Sequence, residues 1–532
     1  MGVVVDDQVY PLSTSEKTSL LHTGEAPIAS QGYSYALLKE GDIVIPENFT
    51  RAPVESDTVN EYFNRSWNKW ELDQLPIVLP PLPIIDRIDS DLHIDGQIPT
   101  IHFVGNQSAL DYLHDNQANE DIEVSVNMTY ISLENVQNLK DITLQISGFS
   151  TRMFPKLSYK LKIPKNQDLF GYRRLKLRAI TGTDYSYMKE YLAYDMYRSV
   201  GLPTTKFSYV RLYMNDEPIG LFGLAENFKN PWIRNEFAKG SKDYKQGTFY
   251  AADANGGVPF GQKSNSTENQ DGPSKNISSD LTYLGHNVSL YSRGYYSVKE
   301  DPSKGKANFT RIMDLSKFIA DASNTTTDDS VVPLWEKKMD VDSFLRGMAM
   351  EFLLSNTDGY FANANNYLMY DDLENERLLF SGSDFDLTMG MNSINNTMGG
   401  NYSEYSGFTS RPLSKMLNVP KFKKDFESLL LNITQGLINP DVLYIRINQT
   451  YQMLLDDVAW DKSLPKKGHF SFRTQVANIS ESEMENMMYN LISFDAAVNG
   501  PMPKELTSLL IPLKEWVKIR SENILNYFNQ TQ

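Results

Sequence analysis

The chain has no cysteine, which excludes thiol catalysis, cysteine-ligated metal centres and any disulfide framework. It has no Lys/Arg-rich run, and its acidic residues outnumber its basic ones, 67 to 51, for a formal charge of -16. A net field of that sign repels phosphate, so nucleic acid and anionic membrane surfaces are poor general partners. Long apolar runs are missing too. Stretches such as Leu509-Leu510-Ile511-Pro512-Leu513 are short and proline-broken, well under the roughly 18 residues of a membrane span, so no transmembrane segment is expected. Met1 to Asp6 lacks the basic and apolar regions of a signal peptide, and Asp6 spoils a myristoylation signal.

What the chain has in excess is Asn-X-Ser/Thr. Fifteen such sequons stand at Asn48, Asn64, Asn106, Asn127, Asn265, Asn276, Asn287, Asn308, Asn324, Asn395, Asn401, Asn432, Asn448, Asn478 and Asn529. Composition alone would give about five or six. The surplus predicts passage through a eukaryotic secretory pathway, with the leader trimmed and the product extracellular or at the cell surface. A precursor carrying a GPI anchor is one route to that surface.

A length of 532 residues supports a sizeable core and a two-lobed plan. Residues 1–90 read as an irregular or β-rich extension ending in the stiff run Pro76-Ile77-Val78-Leu79-Pro80-Pro81-Leu82-Pro83. Strand signals gather over 91–230: Thr100 to Val104, Ile142 to Ile146, Leu157 to Ile163 and Arg174 to Arg178. The last alternates Leu with basic groups, so a half-buried strand presents Lys176 and Arg178 together. Asp184 can cap a helix through Met188, Leu192, Met196 and Val200, stopped by Gly201 and Pro203. Phe207 to Met214 and Gly220 to Leu224 flank the turn Asn215-Asp216-Glu217-Pro218 as a hairpin. Residues 231–310 form a hinge and an insertion, of which 252–310, rich in Gly, Ser and Asn, is expected to carry no core. From 311 to 532 the pattern turns helical, with Val341 to Leu354, Phe422 to Leu437 and Leu513 to Phe528 as amphipathic stretches. The fold class is α+β, with a cleft expected where the strand-rich and helix-rich halves meet.

The stretch with the most chemistry runs from Asn356-Thr357-Asp358-Gly359 through Asn363, Asn365 and Asn366, across two short strands, to Asp384-Phe385-Asp386. Phosphoryl transfer uses such parts: a carboxylate that orients the attacking hydroxyl, an amide oxygen on the metal, and a further carboxylate bridging metal to phosphate. Asp358 and Asn363 have the five-residue spacing of a kinase catalytic loop. The competing reading makes Asp358-Gly359 an ordinary turn and the asparagines loop chemistry. In an extended Asp384-Phe385-Asp386 both carboxylates share one face and Phe385 packs on the other. Two such anions repel without a cation, which argues for function. A glycosidase is disfavoured, because this Asp pair is two residues apart rather than facing across a cleft.

Over roughly residues 97–528 the sequence resembles the CotH kinase-like family, and within it the fungal surface branch. The resemblance rests on Ile146-Ser147-Gly148-Phe149-Ser150-Thr151-Arg152, Lys156 to Lys160, Leu175 to Ala179 with Asp184 and Lys189-Glu190, Tyr209 to Gly223, Asp358 with Asn365-Asn366-Tyr367, and Asp384-Phe385-Asp386. It implies an atypical protein-kinase-like two-lobe fold, with a β-rich N-lobe, a mainly helical C-lobe and an N-terminal extension. It also implies phosphoryl transfer from ATP to protein Ser or Thr with Mg²⁺ or Mn²⁺. Asp358 would be the catalytic Asp, and Asp384 and Asp386 metal ligands. Kinase spacing selects Asn363 as the metal asparagine, whereas the family motif selects Asn365 and Asn366, the reading preferred here. Lys176, Arg178 and Glu190 stand where a kinase grips phosphate and braces that grip, and Lys160 and Arg152 are alternative phosphate contacts. The phosphate-covering loop has a single glycine, Gly148. Fungal relatives include invasins that engage host-cell receptors. The matching segment, Met389 to Tyr405, reads as an exposed Gly/Asn/Ser loop with sequons at Asn395 and Asn401.

Overall fold

The computed structural model describes residues 1–148, 150–180, 183–252, 278–292, 296–322, 328–391, 396–470 and 489–531. The chain opens with β1 (Gly2–Val5), β2 (Gln8–Pro11), β3 (Ser13–Ser15), β4 (Thr18–Thr23), β5 (Tyr33–Lys39) and β6 (Asp42–Pro46). Four of these make a sheet in the order β2-β1-β5-β6. The proline-rich run after it is pinned to the C-terminal end of the helix Lys189–Ser199: Val78 and Leu79 N–H donate to Ser199 O, and Leu82 N–H to Gly201 O.

A closed barrel follows, ordered β10-β11-β13-β12-β7-β8-β9. Its strands are β7 (Thr100–Gly105), β8 (Val124–Ile131), β9 (Val136–Ser147), β10 (Ser158–Lys162), β11 (Arg174–Ala179), β12 (Phe207–Met214) and β13 (Glu217–Glu226). Inward residues such as Ile101, Phe103, Leu144, Tyr159, Leu161, Leu175, Leu177 and Phe222 fill it, which leaves no sheet edge exposed. Its pairings are antiparallel except β7 with β12, which is parallel. The β12–β13 hairpin turns at Asn215, whose φ of 43° suits an asparagine. Outside the barrel lie α1 (Gln107–Asp115), α2 (Lys189–Ser199) and α3 (Trp232–Phe237). Asp184 does serve the start of α2, accepting from Lys189 N–H at 2.9 Å.

The remainder is mainly helical, with α4 (Thr310–Asp321), α5 (Val332–Glu336), α6 (Val341–Leu353), α7 (Tyr360–Asn363), α8 (Pro420–Gly436), α9 (Pro440–Ser463), α10 (Phe494–Asn499) and α11 (Leu513–Thr531). Against α6 lies a sheet ordered β15-β14-β16-β17, built from β14 (Phe249–Ala252), β15 (Tyr296–Glu300), β16 (Tyr367–Asp372) and β17 (Arg377–Gly382). The approach is close: a Cβ on Gly347 of α6 would stand 2.2 Å from Phe380 Cδ1.

Two sequence expectations change here. Within 252–310, Leu281, Tyr291 and Tyr296 are buried in the main core, so the described part of the insertion does carry core. The reason is aromatic: Tyr296 and Tyr291 hydroxyls accept from Leu281 and Leu284 N–H, which lets large rings be buried in a polar stretch. Likewise Met389, Tyr402 and Tyr405 are buried, and Tyr405 Oη donates to Asn356 O at 2.6 Å. The described parts of 389–405 are therefore anchored rather than an exposed loop. No helix among the described residues is long and apolar enough to cross a membrane. Asn48, Asn64, Asn106, Asn127, Asn287, Asn308, Asn432, Asn448 and Asn529 are exposed and Asn401 is half-buried. Asn265, Asn276, Asn324, Asn395 and Asn478 lie outside the described residues.

Candidate active site

Asp358 stands between α6 and α7. Its backbone N–H donates to Asn356 Oδ1 at 3.0 Å, and three carboxamides converge on its carboxylate. Asn363 Nδ2 reaches Oδ1 at 2.6 Å, Asn366 Nδ2 reaches Oδ2 at 2.7 Å, and Asn365 Nδ2 lies 3.3 Å from both. The sequence alternatives thus come together, all three asparagines on one carboxylate. Burial raises the Asp358 pKa, with the Asp384 charge adding and the three amides opposing.

Asp384 and Asp386 lie close enough to Asp358 for their charges to interact: beyond the effect of burial, Asp384 raises the Asp358 pKa and Asp358 raises that of Asp386. Phe385 is buried between Tyr194 and Tyr197, at ring-centroid distances of 5.0 and 4.6 Å. Gly382 makes room, since a Cβ there would stand 2.4 Å from Tyr197 Oη. The two carboxylates share a side as expected, though not through regular strand geometry, because Asp384 is left-handed at φ 57°. Ser355, Ala364, Asn366 and Met389 are left-handed as well. Asp and Asn adopt this region readily, but Ser355, Ala364 and Met389 each cost about 1–2 kcal/mol there, and their gathering around one site is the pattern of a functional constraint.

Arg178 ties the site together. Its Nε reaches Glu190 Oε2 on α2 at 2.5 Å, while Nη2 reaches Asp384 Oδ1 at 2.5 Å and Asp386 Oδ2 at 3.0 Å. Arg178 is buried, so its charge acts within this cluster rather than toward solvent. Burial would lower its pKa, but the three carboxylates raise it well above normal. Burial likewise acts to raise Asp384, yet Arg178 and Lys176 hold it below its ordinary value. Asp386 stays raised, by burial first and by Asp384 and Asp358 beyond what Arg178 offsets. Burial, opposed by Arg178, pushes Glu190 up to about 7.

The other basic residues line the same outer face of the barrel. Lys176 lies opposite Lys160 in the β10–β11 register, and its Nζ is 3.8 Å from Asp384. Burial and the neighbouring Arg152 and Lys176 charges lower the Lys160 pKa. Arg152, in the short turn Ser150–Met153, pairs with Glu120 at 2.8 Å. Among the described residues no group of three His, Cys, Asp or Glu side chains is gathered closely enough to hold a metal ion.

A model of the family described as CotH kinase protein matches residues 144–485. The chain belongs to the CotH kinase protein family. Every site residue above falls within that stretch. The protein named Invasin CotH3, from Rhizopus delemar, is 26% identical over 477 residues, 87% of this chain and 73% of that relative. Invasin CotH2 of the same organism is 27% identical over 475 residues, 87% and 72%. Inner spore coat protein H of Bacillus subtilis is 23% identical over 329 residues, 61% and 80%.

In this CotH family member, sequence reasoning passed over Glu351 and Arg411. Glu351 accepts from Tyr360 N–H at 2.8 Å and Phe361 N–H at 3.1 Å. Arg411 Nε donates to Phe361 O at 2.8 Å. The available signal for the first was a single glutamate late in the apolar stretch Val341 to Leu354; Arg411 had none.

Proposed function

We propose that the protein is a secreted or cell-surface atypical protein kinase of the CotH family, moving the γ-phosphoryl of ATP to a Ser or Thr hydroxyl. The observation that carries this reading is the amide-clamped Asp358 carboxylate, near enough to feel the charge of an Asp384/Asp386 pair that Arg178 joins to Glu190. Asp358 would accept the hydroxyl proton as the new oxygen–phosphorus bond forms and the bond to the β-phosphate oxygen breaks, leaving ADP. Its raised pKa suits a proton acceptor, and the asparagine amides fix its orientation. Lys176, Lys160 and Arg152 supply positive charge for phosphate oxygens. The hard-oxygen donor set of two carboxylates and two carboxamides suits Mg²⁺ or Mn²⁺. Asp384 and Asp386 would hold the ion with Asn365 and Asn366, and it would neutralise charge on the phosphates.

The test is incubation of purified glycoprotein with labelled ATP and Mg²⁺ or Mn²⁺. Wild type should label itself or a Ser/Thr substrate, and Asp358→Ala and Asp384→Ala should not. Equal labelling of all three overturns the assignment.

A second reading draws on the relatives named invasins, whose similarity covers 87% of the chain. On this reading the surface binds a host-cell receptor, with or without catalysis. Because Tyr402 and Tyr405 are buried, its test leaves them in place. Deleting residues 253–277, or substituting Asn396 and Asn401 together, should abolish binding to host cells while ATP binding persists. Binding undiminished by either change removes these contact surfaces.

A further inference from the structure

We infer that Glu351 is a positioning residue for Asp358, holding the one-turn helix α7 that sets the carboxylate and its asparagines in register. This role rests on the phosphotransfer reading of the site. Helix α6 is apolar around most of its surface, with Phe344, Leu345, Met348, Phe352 and Leu353 all buried, yet Glu351 is only 1% exposed within it. A buried carboxylate is costly unless its oxygens are used. Here each oxygen takes one backbone N–H, Tyr360 to Oε1 and Phe361 to Oε2, the first two donors of α7. Gly359 permits the approach, since a Cβ there would stand 2.8 Å from Glu351 Oε1.

Four residues cannot sustain a helix alone, so α7 depends on what holds it. Arg411 donates to Phe361 O and Ala362 O, and the side chain of the first residue of α7 is held too, Tyr360 Oη donating to Asp280 O. Asp358 lies two residues before the Glu351 contact, Asn363 is the last residue of α7, and Asn365 and Asn366 follow just after it. Loss of the Glu351 bonds therefore frees both halves of the clamp at once. A displacement near 1 Å at such a group can cost about 100-fold in rate. The groups facing Glu351 are Arg411, Asp358, Tyr197 and Tyr405. Burial pushes its carboxyl up to about 7, so its protonation changes near neutral pH.

The experiment compares wild type with Glu351→Gln, which keeps the volume and removes the charge. In autophosphorylation kcat should fall roughly 10- to 100-fold with the KM for ATP changed less than about 3-fold, and any inflection near pH 7 in the wild-type profile should vanish. Independently of activity, the Tyr360 and Phe361 amides should exchange at least about 10-fold faster while α6 amides keep their protection. Should E351Q fail to fold, Gly359→Ala, which drives a methyl into the same carboxylate, carries the same expectations for kcat and for amide exchange. Accelerated loop exchange in a protein whose wild type transfers no phosphoryl would remove the kinase reading and leave the holding of the loop intact. Unchanged loop exchange, whatever the activity, overturns the inference, as does a wild-type kcat and pH profile in E351Q.

Discussion

Replacing Arg178 by Met removes one guanidinium and leaves three carboxylates facing one another. Breaking a buried ion pair by deleting one partner costs about 3–5 kcal/mol. The side chains of Glu190 and Asp386 are 10% and 16% exposed, so they bear that penalty, whereas Asp384 at 34% is partly screened. The expected loss for R178M is ~4 kcal/mol at pH 7.5. Without the cation all three carboxyl pKa values rise, Glu190 and Asp386 from already raised positions and Asp384 from a lowered one, so the folded state holds protons that an unfolded chain, with carboxyls near pH 4, has released. Stability of the variant therefore rises as pH falls from about 7 to 5, more steeply than wild type, and the deficit narrows to ~2 kcal/mol. Urea unfolding followed by tryptophan fluorescence at both pH values reads this directly. A loss below about 1 kcal/mol at pH 7.5, or a deficit independent of pH, would refute the assignment of Arg178 as the cation that neutralises the acidic cluster.

Further expectations follow from single contacts. Asn363→Ala removes the 2.6 Å donor to Asp358, which holds the carboxyl pKa down, so the acid limb of the phosphotransfer pH profile should move to higher pH. Lys156→Met takes from buried Asp461 the cation that meets both its oxygens at 2.8 Å, leaving Tyr187 Oη, Leu221 N–H and the more distant Lys466, and should cost ~3 kcal/mol in denaturant titration. Gly347→Ala forces a methyl against the Phe380 ring and should destabilise by ~1–3 kcal/mol in thermal unfolding. Enzymatic removal of N-glycans from protein made in a eukaryotic host should lower its mass, with peptide mapping locating glycans on exposed asparagines such as Asn48, Asn106 and Asn448.

Local pattern carried a good deal of this structure. The hairpin Phe207–Met214 with Glu217–Glu226 was legible because its turn residues and alternation are both local. The helix Val341–Leu353 ends within one residue of its apolar periodicity, and alternation along Arg174 to Arg178 separated Leu175 and Leu177 from the basic face. Barrel closure was not legible, since it depends on Arg211 to Met214 pairing with Thr100 to Phe103, a contact across more than a hundred residues with no sequence signature. At the site, spacing nominated Asp358, Asp384 and Asp386 but could not show that Arg178 would sit among Glu190 and the acidic pair. Glu351 escaped notice because a glutamate in a helix ordinarily faces water, and its two backbone partners lie beyond the end of its own helix.

Helix α9 has a bearing on biosynthesis. It is made after more than four-fifths of the sequence, yet its Asp457 neutralises Arg65 and Arg211, and its Asp461 neutralises Lys156. A nascent chain that has emerged only through β13 holds these three cations with their carboxylates still untranslated. Burying them unpaired is prohibitive, so the barrel is unable to settle as the ribosome delivers it, and must wait for, or be chaperoned until, the arrival of residues 440–463. A fragment ending before α9 should accordingly be recovered as an aggregate rather than as a free-standing barrel.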